Sequence, residues 1–131
     1  MALPLPAISP ETAAFWTGGA HGALQIMACN ACDHRIHPPQ LICPQCLSRD
    51  VAPIAASGQG TIYSYTINHQ PWIPDLKVPY ALVIVDLDDQ PGVRMTAMLE
   101  TNDLGEIAIG APVTVDFEHR GDVYVPFFRL G

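Results

Sequence analysis

All four cysteines of this 131-residue chain fall into two Cys-x-x-Cys pairs, Cys29/Cys32 and Cys43/Cys46, with ten residues between the pairs. Two residues between cysteines let both sulfurs reach one ion while amides of the turn donate to them, so two such knuckles build a tetrahedral cage of thiolates. Zinc is the natural occupant. Iron in a four-thiolate site, disulfides and an empty site are the other readings of the same spacing. A redox Cys-x-x-Cys usually comes singly at the start of a helix, whereas Pro38-Pro39 lies between these pairs and no helical pattern follows either one. Four protein ligands fill the coordination sphere. The metal then holds structure and has no open position for water or substrate.

A length of 131 residues suits one ordinary domain, and 49% hydrophobic content is enough to bury a core. No apolar run approaches the length of a membrane span, and Met1-Ala2-Leu3-Pro4-Leu5-Pro6 lacks both a basic start and an unbroken apolar stretch. The expectation is a cytoplasmic protein without membrane contact, in which reduced, metal-bound cysteines are at home. The net charge is −7, from thirteen acidic residues against six basic ones. Those six, Arg35, Arg49, Lys77, Arg94, Arg120 and Arg129, are scattered and form no patch for a phosphate backbone. No nucleic-acid partner is expected.

The order along the chain is helix, ribbon, then strands. Ser9-Pro10-Glu11 reads as an N-cap and first turn for a short helix through Phe15-Trp16, with Gly18-Gly19 as its stop. Leu24 to Ala28 leads into the first knuckle and Val51 to Ala55 leads out of the second. From Thr61, Tyr63, Tyr65 and Ile67 alternate with Ser64, Thr66 and Asn68 as in a half-buried strand. The loop His69-Gln70-Pro71-Trp72-Ile73-Pro74-Asp75 follows. Tyr80 to Asp88 places Ala81, Val83, Val85 and Leu87 on one side, and Asp89-Gln90-Pro91-Gly92 turns it into a hairpin with Val93 to Leu99. Pro112 to Glu118 and Val123 to Arg129, joined by Arg120-Gly121-Asp122, complete five strands. Their number and spacing fit a five-stranded Greek-key barrel of the oligonucleotide/oligosaccharide-binding (OB) type better than a sandwich. The expected division is 1–23 helical segment, 24–55 ribbon and 56–131 barrel.

This constellation resembles the acyl-CoA-associated OB-fold family with a rubredoxin-like zinc ribbon, also called domain of unknown function 35. The likeness is carried by Phe15-Trp16, both knuckles, His37-Pro38-Pro39, Gly58 to Thr66, Val78-Pro79-Tyr80, Gly110-Ala111-Pro112-Val113 and Pro126-Phe127-Phe128. It implies a mostly β protein: short N-terminal helix, four-cysteine zinc ribbon, five-stranded barrel. It also implies a non-catalytic accessory subunit, hetero-oligomeric with a thiolase-fold aldolase, thiolase or acyltransferase that handles steroid side-chain or fatty acyl-CoA thioesters. The position after the first pair, often glycine in relatives, is Asp33 here, which bears on the local turn and not on the ligands.

The sequence announces no catalytic residue. It has no Gly-x-Ser-x-Gly turn, no cysteine outside the pairs and no phosphate-cradling glycine loop. Phe15, Trp16, Trp72, Phe127 and Phe128 are the candidate partner contacts, since interface centres favour aromatics over charges. His69, at the end of the first barrel strand, and Arg94, whose guanidinium matches a coenzyme A phosphate, are the candidate substrate contacts. His34 is placed to hydrogen-bond near the metal. Two further readings are direct acyl-CoA binding or carriage, and single-stranded nucleic-acid recognition through exposed Tyr63 and Tyr65, which the charge opposes.

Overall fold

The computed structural model describes residues 4–131. Met1-Ala2-Leu3, part of the stretch read for a leader and of the expected 1–23 segment, lies outside the described residues. The Ser9 carbonyl accepts from the amides of Thr12 and Ala13 at 3.1 and 2.9 Å, closing a turn from which helix α1 (Ala13–Thr17) starts. Regular helix thus begins later than Ser9-Pro10 suggested, and it ends at Thr17 with Gly18 as its C-cap, where Gly18-Gly19 placed the stop. The chain tightens into a 3-10 turn, Gly18–His21, and leaves it at Gly22 with φ 69°. The reason is packing: a Cβ on Gly19 would lie 2.5 Å from Tyr124 Cβ and 2.6 Å from Phe117 Cδ1. Glycine is there so that the helical segment can lie against the strands carrying those rings.

The ribbon sheet has β1 (Leu24–Cys29) at its centre, flanked antiparallel by β2 (Arg35–Ile36) and β3 (Val51–Ala56). The remaining strands are β4 (Gln59–Asn68), β5 (Tyr80–Leu87), β6 (Arg94–Glu100), β7 (Pro112–Arg120) and β8 (Val123–Leu130). They close a barrel in the order β4-β5-β6-β8-β7, the five-stranded OB architecture. Neighbours pair antiparallel except β6 and β8, which run parallel and meet only at Leu99↔Phe128 and Glu100↔Arg129. No described helix is long and apolar enough to cross a membrane.

Alternation placed the faces of β5 correctly: Ala81, Val83, Val85 and Leu87 are buried. It misplaced β4. Ile62 pairs with Val85 but Ser64 pairs with Ile84, so Tyr63 is an extra, bulged residue. The bulge changes the phase of the strand, so that Ile62 before it and Tyr65 after it lie opposite the inward-facing Val85 and Val83; Ile62 is buried, while Tyr63 at the bulge and Tyr65 are exposed. Leu24 and Ile26 of the ribbon share one buried cluster with Ile62, Val83, Met95, Val113 and Phe128 of the barrel. A smaller cluster of Met27, Cys29, Ile36 and Cys43, with Val51 packed against it, underlies the cysteines.

Candidate metal centre and contact surfaces

The two knuckles fold alike. In the first, the Asp33 amide donates to the Cys29 carbonyl and the Cys29 amide to the His34 carbonyl, both at 2.9 Å. In the second, Leu47 donates to Cys43 and Cys43 to Ser48, again at 2.9 Å. The first cysteine of each pair is buried and the second exposed. The Sγ atoms of Cys29 and Cys46 lie 3.6 Å apart and those of Cys32 and Cys43 3.7 Å apart. All four sulfurs fall within 4.8 Å of one another. A tetrahedron of thiolates about 2.3 Å from a central ion has edges of roughly 3.8 Å, so the donor set fits a tetrahedral metal site.

The electrostatics agree. Burial raises the Cys43 thiol, but the amides of Cys46 and Gln45 and the sulfurs of Cys32 and Cys46 bring it down to about 7. At Cys32 the His34 amide pulls downward, yet loss of water and three neighbouring sulfurs push the thiol up to about 12. Cys46 is raised as well: the Ser48 amide and Cys32 lower it, and desolvation with Cys29 and Cys43 outweighs them. Four thiols this close ionise together only when a cation shares their charge. His34 serves the knuckle through its main chain, with its carbonyl on the Cys29 amide and its own amide on the Cys32 sulfur.

The aromatic candidates separate. Phe15 is half-buried, edge-to-face on Trp16 at 4.9 Å between ring centroids and tilted against His37 at 5.4 Å. Trp16 and Phe127 line a groove of about 580 Å³. Trp72 is 71% exposed on its loop, and its indole N–H donates to Asn68 Oδ1 at 3.3 Å. Phe128 is a correction. It is 0% exposed in the barrel core, because successive residues of a strand face opposite ways and Phe127 takes the outer side.

The two substrate candidates are not brought together. Asn68, next to exposed His69, pairs with Tyr80, whereas Arg94 pairs with Asp86, six residues further along β5. That separation is about 20 Å along the strands. Arg94 lies 3.7 Å over the Tyr63 ring and its Nε donates to Asp86 at 2.9 Å. The Asp86 carboxylate, ahead of the tyrosine, raises the arginine above its ordinary value.

One joint between ribbon and barrel had no signal in the sequence. Arg35 Nη1 reaches Asp33 Oδ1 at 2.8 Å, and its Nε donates to Gln90 Oε1 at 2.8 Å. Gln90 is 3% exposed, although it sits in a hairpin turn whose composition reads as surface.

Comparison with known proteins matches both halves of the chain. The ChsH2 rubredoxin-like zinc ribbon domain matches residues 16–52, and the ChsH2 C-terminal OB-fold domain matches residues 54–118. A probable enoyl-CoA hydratase alpha subunit of Thermomonospora curvata is 35% identical over 127 residues, 96% of this chain and 39% of that protein. The 3-oxo-4,17-pregnadiene-20-carboxyl-CoA hydratase alpha subunit of Mycobacterium tuberculosis is 34% identical over 88% of this chain and 36% of its own length. The chain therefore spans well under half of these curated relatives. Among solved structures, the Ltp2-ChsH2(DUF35) aldolase superposes with a TM-score of 0.85 at 32% identity, covering 96% of this chain and 98% of that one. A DUF35 protein of unknown function from Sulfolobus solfataricus, 15% identical with a TM-score of 0.65, covers 93% of this chain and 86% of its own and shares the fold.

Proposed function

The chain belongs to the ChsH2 family of rubredoxin-like zinc-ribbon and OB-fold proteins, and from that premise we propose that it is a non-catalytic accessory subunit which binds and stabilises a thiolase-fold acyl-CoA enzyme. The observation that carries this reading is the end-to-end match to the ChsH2 chain of an aldolase named jointly for Ltp2 and ChsH2. Relatives named as subunits of coenzyme A thioester hydratases support acyl-CoA metabolism as the setting, with steroid side-chain or fatty acyl thioesters as the partner's substrates.

Zinc is the ion we assign to Cys29, Cys32, Cys43 and Cys46. It would neutralise part of the thiolate charge and lock the two knuckles together, and the four sulfurs leave it no vacant ligand position. The partner-facing aromatics are Phe15, Trp16, Trp72 and Phe127. His69 shares the Trp72 loop and belongs to that surface on this reading, and Arg94, committed to Asp86 and Tyr63, has little capacity left for a phosphate.

The test is co-expression of the tagged chain with the thiolase-fold enzymes of its own host. A stoichiometric complex that turns over acyl-CoA substrate is expected, with no turnover by the isolated chain. Turnover by the pure chain at a rate comparable with the complex would overturn the reading.

A further inference from the structure

The barrel has an unzipped seam. The Val93 carbonyl accepts the Leu87 amide at 3.2 Å, so by the alternation of an antiparallel ladder Met95, Ala97 and Leu99 exchange hydrogen bonds with β5. The main-chain groups of Arg94, Thr96 and Met98 then point the other way, toward β8. On β8, the Gly131 amide donates to the Pro112 carbonyl at 3.0 Å, and the same alternation turns Tyr124, Pro126 and Phe128 toward β6.

The ladder between these strands stops where proline begins. Leu99↔Phe128 and Glu100↔Arg129 are formed, and two residues further back the rung to the Thr96 carbonyl would require an N–H at Pro126. Proline has none. From there the strands part, and the groove of about 580 Å³ opens between them, with Thr96, Met98, Val125, Pro126 and Phe127 on its banks and Trp16 adding a ring. A volume of this size is ligand-scale.

The groove specifies its occupant. Its charged lining is Lys77 and Arg120 against Glu100 and Glu118, which cancel, so it offers no attraction to an anion such as a coenzyme A phosphate. What it offers is apolar wall beside a strand edge that no described residue pairs, the chemistry that recognises another extended backbone. We propose that the seam takes an extended, uncharged strand of the partner enzyme, which pairs with β6 at Thr96 and completes the barrel in trans. The edge from Arg94 to the Met98 amide is about 17 Å long, enough for a five-residue strand, and the Met98 carbonyl beyond it is already taken by Phe128. This inference rests on the accessory-subunit reading above.

The experiment is hydrogen exchange on the zinc-loaded chain, alone and in complex with the co-purified thiolase-fold enzyme, together with Thr96→Pro and Thr96→Ala. Thr96 does not donate to β5, so proline removes only a seam-facing donor, as edge strands tolerate. The expected result is an exposed Thr96 amide in the free chain, slowed about 100-fold in the complex. Thr96→Pro should weaken the complex about tenfold or more, with Thr96→Ala within about twofold of wild type. A complex in which Thr96 exchange is unchanged overturns the seam and leaves the accessory role standing. Protection already present in the free chain overturns it in favour of a segment of this chain or, if it grows with concentration, a second copy. Failure of the wild type to form any complex overturns both.

Discussion

Asp33 and Leu47 are structural equivalents: each follows the second cysteine of its knuckle, and each holds φ at 64° while its amide donates 2.9 Å to the carbonyl of the first cysteine. This left-handed conformation suits glycine and costs other residues roughly 1–2 kcal/mol, less for aspartate than for leucine. The turn that Asp33 placed in doubt is formed, with Asp33 also paired to Arg35. Leu47 is 74% exposed and has little burial to lose. Leu47→Gly should therefore stabilise the zinc-loaded protein by about 1 kcal/mol, while Asp33→Gly should be near neutral. Denaturant unfolding of both variants checks the difference.

Cys43 is fully buried beneath the site, so Cys43→Ser should lose the metal and loosen the ribbon, because for such a site binding energy is folding energy. Chelation of the wild type should do the same. Metal content and amide exchange across β1 to β3 are the readouts, and full metal with unchanged thermal stability in Cys43→Ser would contradict the assignment.

The Arg35–Gln90 hydrogen bond ties the ribbon to the β5–β6 hairpin. Gln90→Ala leaves a half-buried guanidinium donor without its acceptor, a cost of about 1–3 kcal/mol. Arg35→Ala removes the other partner and also the Asp33 pair. The double variant should be less destabilised than the sum of the two singles, which a double-mutant cycle in urea measures.

His37 has a buried Nδ1 without a hydrogen-bond partner among the described residues, and burial lowers its pKa from the ordinary value. The unfolded chain takes up this proton near pH 6.5 and the folded chain only at lower pH. Stability from this group is thus complete above about pH 6.5 and is lost as pH falls from there toward the folded value. His37→Leu should flatten that part of the curve. Acid release of the metal is common to both proteins, so the difference between their stability–pH curves isolates the histidine.

The cysteine knuckles were legible because a Cys-x-x-Cys turn is local: two residues set the reach of two sulfurs, whatever else the chain does. The faces of β5 were legible for a similar reason, since strict alternation has a single register with Ala81, Val83, Val85 and Leu87 inward. Gly18-Gly19 announced the helix end but not the close approach at Gly19, because glycine marks both. Nothing local tells the two apart when the contact is with Phe117 and Tyr124, about a hundred residues away.

By itself the sequence determined the four-cysteine cluster, the five barrel strands and the barrel class, all properties of spacing and period. Only the tertiary structure decided which of Phe127 and Phe128 faces outward, that Tyr63 bulges out of β4, that His69 and Arg94 stand at opposite ends of the sheet, and that β6 and β8 pair only at Leu99↔Phe128 and Glu100↔Arg129. Each of these depends on register between strands distant in the chain. Register is set by the packing of the whole core and not by any one segment.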